Sequence, residues 1–136
     1  MVCIYCGNKT QVTNSRHQKR LNRGWRRREC LTCHAIFTTI EEADYTSSLI
    51  VRSSAAKHGP ISHFSRDKLF VSILKAVGHR ETALEDASAL TATITAKLLL
   101  GAPDATISPN TIVQTALETL RRFDVVAAIQ YEAYHK

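Results

Sequence analysis

Two short stretches decide how the first third of this chain folds: Cys3-Ile4-Tyr5-Cys6-Gly7 and Cys30-Leu31-Thr32-Cys33-His34. Together they hold all four cysteines of a 136-residue protein. Each Cys-x-x-Cys pair presents two thiolates from one tight turn, and two pairs complete a tetrahedral sulfur site for a metal ion. Four soft ligands select zinc or an iron centre over calcium or magnesium. Gly7 follows the first pair, where an unhindered backbone helps the chain turn. His34 stands in the corresponding place after the second pair, a spare imidazole where four thiolates already suffice. A redox dithiol needs only one pair. The N-terminus lacks the basic-then-apolar pattern of a secretory signal, so a reducing compartment is expected and structural disulfides are disfavoured. The expected ligands are Cys3, Cys6, Cys30 and Cys33, around one zinc ion per chain. Some 40 residues, roughly, bury too little apolar surface to fold alone, so the metal substitutes for a core.

Between the pairs the sequence reads as β-structure. Gln11 to Arg16 alternates like a strand, Asn22-Arg23-Gly24 looks like a turn, Trp25 to Cys30 returns antiparallel, and Ile36 to Ile40 is a third β-rich run. The outcome is a zinc ribbon. Its charge is lopsided: residues 1–40 carry 8 Lys and Arg against a single acid, Glu29, whereas residues 41–136 carry 10 basic and 11 acidic residues. All of the net charge of +6 therefore lies within the first 40 residues. A cationic head on a nearly neutral body points to a polyanion partner, with a basic surface kept only for solubility as the bland alternative. Arg26, Arg27 and Arg28 are consecutive, so on a strand they point to both faces. Arg16, Lys19, Arg20 and Arg23 add to them. The guanidinium fork suits phosphates and guanine edges, and Arg16, Arg26, Arg27 and Arg28 are the expected DNA contacts. Trp25 is either a base-stacking side chain or the hydrophobic plug of the minidomain, and a plug is the better expectation.

From about residue 46 the pattern becomes helical after a short strand at Leu49-Ile50-Val51, with a loop expected from Ser53 to Ser62 around a Gly59-Pro60 turn. Ser65 is an N-cap before Leu69, Phe70, Ile73, Leu74 and Val77 at helical spacing. A second helix runs from Thr82 or Ala83 to Leu100, with Leu84, Ala87, Leu90, Ile94 and Leu98 on one face. Ser108-Pro109 opens a third, which buries Ile112, Val113, Ala116, Leu117 and Leu120, and a fourth starts near Asp124. The fold class is thus α+β: a β-rich zinc ribbon over residues 1–45 and a mainly helical domain over 46–136. With 44% hydrophobic and 22% charged residues the composition is globular. No apolar run approaches the roughly 18 residues of a membrane span, so no membrane partner is expected. Neither a P-loop nor a Gly-x-Gly-x-x-Gly turn is present. The scattered histidines form no triad, and an enzyme is the weakest reading.

The combination Cys3-x-x-Cys6-Gly7, Val12-x-x-Ser15-Arg16, Arg26-Arg27-Arg28-x-Cys30-x-x-Cys33 and Phe37-Thr38-Thr39-x-Glu41 closely resembles the NrdR family, bacterial transcriptional repressors of ribonucleotide reductase genes. It departs from that family at Ile4, where proline is usual, and at Asn14, where aspartate is common. It also has three arginines where the family often has four basic residues. The second half resembles the ATP-cone domain of the same repressors through Ile50-Val51-Arg52, Phe64-Ser65-Arg66-Asp67-Lys68-Leu69, Lys75-Ala76, Pro109 to Leu120 and Val126-Ala127-x-Ile129. The resemblance implies ATP or dATP as regulatory ligands, with Val51, Arg52 and Lys68 as nucleotide contacts. Lys57-His58-Gly59 is an alternative basic turn to Arg52. It further implies double-stranded promoter DNA as partner, a homo-oligomer whose size the nucleotide controls, and a cytoplasmic, nucleoid-associated bacterial location. The competing classes are a zinc-ribbon nucleic-acid accessory protein that ignores nucleotides, and a regulator that binds ribonucleotide reductase itself.

Overall fold

Alternating, arginine-rich sequence builds three strands, β1 (Thr10–Gln18), β2 (Arg23–Cys30) and β3 (Ile36–Glu41), paired antiparallel in the order β1-β2-β3. Thr10 faces Cys30 at one end of the β1–β2 hairpin and Gln18 faces Arg23 at the other. The reversal is a 3-10 turn over Lys19–Leu21 closed by Asn22 at φ 47°, a left-handed conformation that asparagine tolerates. The turn thus precedes Arg23 and Gly24, which already pair with Gln18 and His17 in the ladder. A bulge between Val12 and Asn14 takes Thr13 out of register.

The computed structural model describes residues 1–53 and 60–135, and the chain divides into two units, Met1–Asp44 and Tyr45–Lys136. In the first unit the buried cluster is Cys3, Cys30 and Phe37, with Ala35 packed against it. Trp25 is half-buried and not part of that cluster, so the plug is Phe37 instead. Strand alternation supplies the reason. Phe37 lies opposite Arg28, two residues from Cys30 and on the same face, whereas Trp25 has the opposite parity.

In the second unit β4 (Ile50–Arg52) runs between β5 (Ile61–His63), antiparallel, and β6 (Thr106–Ile107), parallel. The run expected as a loop therefore ends in a strand. Ile61, Ser62 and His63 pair with Arg52, Val51 and Ile50, and tertiary pairing overrides a locally loop-like sequence. Lys57 and Gly59 lie outside the described residues. Four helices follow: α1 (Arg66–Val77), α2 (Ala83–Leu100), α3 (Pro109–Phe123) and α4 (Val125–Tyr134). Ser65 Oγ accepts from the Lys68 N–H, Ser108 Oγ from the Thr111 N–H, and Asp124 Oδ1 from the Val126 and Ala127 N–H groups. These caps satisfy donors that a helix start leaves unpaired. Ile73, Val77, Ile94, Leu98, Leu120 and Tyr131 belong to one contiguous core. Leu84, expected on the buried face of α2, is 61% exposed in the first turn, on the rim of an open groove beside Phe70 and Ala89. An ionic knot ties the α1–α2 connection to the start of α4. His79 Nε2 lies 2.9 Å from Asp124 Oδ2, and Arg80 reaches Asp124 at 3.2 Å and Asp86 at 2.7 Å. Among the described residues no helix is long and apolar enough to cross a membrane.

Candidate metal centre and cationic hairpin

The two cysteine turns are built alike. The Cys3 N–H donates to Asn8 O at 2.8 Å and the Cys30 N–H to Ala35 O at 3.0 Å, the same closure five residues on. Each turn bends through a left-handed residue just after its second cysteine, Gly7 at φ 74° and His34 at φ 57°. His34 is therefore a backbone position in this site. Its imidazole is exposed, 3.8 Å from Glu29 Oε1, and is not in the sulfur cluster. Backbone N–H groups aim at the sulfurs: Tyr5 at Cys3 Sγ, and Thr32 and Cys33 at Cys30 Sγ.

The four sulfurs lie within 4.8 Å of one another, with Cys3–Cys33 at 3.7 Å and Cys6–Cys30 at 3.4 Å. A tetrahedral zinc site with arms near 2.3 Å has sulfur edges of about 3.8 Å, so the donor set and its spacing fit zinc. Four protein ligands leave no open position, the signature of a structural rather than a catalytic centre. The thiols titrate apart. The Asn8 backbone N–H, then its side-chain amide, hold Cys6 down to about 6. The Cys33 and Thr32 N–H groups lower Cys30. The Ala35 N–H favours the Cys33 thiolate, but the neighbouring Cys6 and Cys30 sulfurs prevail and push it up to about 12. Sulfurs this close cannot all shed their protons unless a cation sits among them.

The hairpin leads away from this centre and carries the arginines, which the strand register divides between two faces. Arg23, Trp25 and Arg27 alternate along one face of β2, joined by Arg16, which lies opposite Trp25 with its guanidinium 5.9 Å from the ring centroid. Arg26 and Arg28 take the other face, the one that carries Cys30 and Phe37. Arg26 pairs with Glu41, and Arg28 donates to Thr39 Oγ1 at 3.2 Å and Thr10 Oγ1 at 3.5 Å. The four expected DNA contacts are thus split into two pairs. Arg23, which the residue pattern alone did not assign to DNA contact, shares a face with Arg16 and Arg27. Strand alternation counted back from Arg27 was the signal that could have found it.

In the second unit, Val51 and Arg52 are half-buried on β4, between the strands that lead into the first turns of α1 and α3. Lys68 is exposed in the first turn of α1, where its backbone N–H is taken up by the Ser65 cap.

Comparison with known proteins gives this geometry a family. The model described as "Transcriptional repressor NrdR-like, N-terminal domain" matches residues 1–41. The transcriptional repressor NrdR of Symbiobacterium thermophilum is 31% identical over 136 residues, spanning 100% of this chain and 87% of that protein. The NrdR of Heliobacterium modesticaldum is 33% identical over 139 residues, spanning 100% and 87%. That of a Geobacillus species is 31% identical over 137 residues, spanning 100% and 86%. By these matches across the full chain, joined to four cysteines in a metal-binding arrangement, the protein belongs to the NrdR family of transcriptional repressors.

Proposed function

We propose that the protein is a nucleotide-responsive repressor of ribonucleotide reductase genes, in which one zinc ion held by Cys3, Cys6, Cys30 and Cys33 stiffens a ribbon that binds double-stranded promoter DNA. Residues 1–45 are the DNA-binding domain and residues 46–136 the nucleotide-sensing and oligomerisation domain. ATP or dATP binds the second domain near Val51, Arg52 and Lys68, with Lys57 as the alternative basic contact. The bound nucleotide sets how many copies assemble, and assembly sets how many ribbons reach one promoter. Linked weak sites gain avidity through effective concentration, so a change of oligomer controls DNA affinity without altering any base contact. Linkage then requires cognate DNA to favour the same nucleotide state in return.

The observation that carries this reading is the four-sulfur cluster at the base of an arginine-bearing hairpin. Zinc supplies rigidity there and no chemical step. The test is promoter binding by gel shift, with mass photometry in parallel, in ATP, in dATP and without nucleotide. Different masses and different DNA affinities among the three states are expected. Equal mass and equal affinity in all three would remove the switch and leave a nucleotide-indifferent DNA-binding protein.

A further inference from the structure

We infer that the ribbon grips duplex DNA with one face only, the face formed by Arg16, Arg23, Trp25 and Arg27. Arg26 and Arg28 serve from the opposite face as positioning residues that hold the sheet. The inference deepens the DNA-binding reading above and rests on it.

Charge balance separates the two faces. Among the described residues neither Arg16 nor Arg27 pairs with a carboxylate, and Arg23 donates only to the neutral Gln18 side chain at 2.6 Å. Three full positive charges therefore surround Trp25 within a few residues of ladder. The strand acid on this face, Glu29, lies toward the cysteine end, where Gln11 and His34 engage it, and Glu42, just past β3, lines an open groove with Arg23 without forming an ion pair to it. On the opposite face Glu41 neutralises Arg26, and the two threonine hydroxyls fix Arg28, which is half-buried.

Shape agrees with charge. The register that joins Thr10 to Cys30 and Gln18 to Arg23 puts the cysteine turns at one end of the hairpin and Lys19 and Arg20, both exposed, at the other. The unpaired cations thus run from mid-hairpin to the turn at its far end, away from the metal. β2 is the central strand, with Ile40 and Thr38 of β3 beside Trp25 and Arg27, so it is the face of a three-stranded sheet, its strands about 4.8 Å apart, that lies against the major groove, roughly 12 Å wide. With this face turned inward, the guanidinium groups of Arg16, Arg23 and Arg27 meet the phosphates and base edges. The Trp25 ring, already under the Arg16 guanidinium, is then covered from solvent. The consecutive triplet Arg26-Arg27-Arg28 accordingly contributes one DNA contact rather than three, and Arg23 supplies the other from the same strand.

Trp25 is the single tryptophan of the chain, so the intact zinc-loaded protein reports on this face directly. Fluorescein-labelled random-sequence duplex DNA is titrated at low salt, without nucleotide and with ATP or dATP, while anisotropy and acrylamide quenching of Trp25 are read together. Glutamine replacements at Arg23, Arg26, Arg27 and Arg28 remove charge but keep hydrogen-bond donors, and zinc content with thermal melting confirms that each variant is folded. Binding should shield Trp25 from acrylamide. R23Q and R27Q should each weaken affinity on the order of tenfold and lower the salt slope by about 1. R26Q and R28Q should stay within about threefold of the parent, because Arg26 is paired with Glu41 and Arg28 is tied to Thr39 and Thr10 on the face turned away from the duplex. Tight binding with Trp25 still fully quenchable, or folded R26Q and R28Q losing as much affinity and salt slope as R27Q, would overturn the face assignment while leaving DNA binding intact. A parent protein that binds no duplex in any nucleotide state, or binds only single-stranded RNA, would overturn the DNA-binding reading itself.

Discussion

The ribbon and the helical unit reach a defined fold by opposite means. Among the described residues the ribbon buries only Cys3, Cys30 and Phe37, whereas the helical unit encloses Ile73, Ala76, Val77, Ala87, Ile94 and Leu120 within a larger core. A core of that size is self-sufficient; three residues are not, and a metal–thiolate centre must supply the missing cohesion. The difference has a functional side. Because the ribbon spends so few positions on an interior, both faces of its sheet are open to polar side chains, and arginine can occupy alternate residues of β2 without disturbing packing. The helical unit has no such freedom along α1 to α3, where every third or fourth residue is committed to the interior.

This contrast is broken most decisively at a ligand. Cys30→Ser removes a buried thiolate, and structural zinc contributes on the order of 10 kcal/mol to small domains of this kind. The variant should lose its metal and expose the Trp25 strand to protease, while the helical circular dichroism of the second unit survives. Loss of all helical signal would mean that the two units do not fold independently. Next in size is Ile73→Ala, fully buried on α1. A truncation of this type costs about 2–5 kcal/mol. Denaturant unfolding of the helices should shift by that amount, with metal content unchanged.

A smaller effect is expected at the ionic knot. A hydrogen bond from His79, then the Ala127 N–H and the Arg80 guanidinium, hold the Asp124 carboxyl down to about 2. A depressed carboxyl stabilises the folded state above its unfolded pKa of about 3.9, and that contribution disappears as pH falls toward 2. The helical unit should therefore lose stability between those values. Asp124→Asn keeps a cap but not the charge, so it should flatten this acid limb and lower the neutral-pH Tm by about 4 °C. An unchanged acid limb in calorimetry would show that other carboxyls control it. The smallest change is at His34, whose left-handed backbone favours glycine. His34→Gly should stabilise the second cysteine turn by about 1 kcal/mol, read as slower zinc loss to a chelator.

Legibility differed between the same two regions, for physical reasons. The ligand set is readable because Cys-x-x-Cys spacing is a local property of one turn, and Cys3, Cys6, Cys30 and Cys33 meet in space as that spacing implies. Helices α1 to α4 are readable from 3.6-residue periodicity and from Ser65, Ser108 and Asp124 at their starts. Partnerships across the sheet are another matter. Ile61-Ser62-His63 becomes a strand only because β4 pairs with it, and three residues carry too little alternation to announce that. Phe37 takes the interior place expected of Trp25 because the interior of the ribbon is defined by which parity of β2 ends in Cys30. The same parity divides the arginine triplet, and the bulge at Thr13 brings Arg16 onto the Trp25 face. Leu84 fits the helical stripe of α2 yet falls where the first turn borders an open groove.

The central claim is that a thiolate-bound metal makes the ribbon, and that the ribbon grips DNA. Its most direct test is a zinc titration of metal-free, reduced full-length protein, with Trp25 emission, helical circular dichroism and duplex-DNA anisotropy followed in the same sample. Ribbon signal and DNA binding should rise together and saturate at one zinc per chain, with the helical signal constant throughout. Full DNA affinity before any zinc is added would contradict the account.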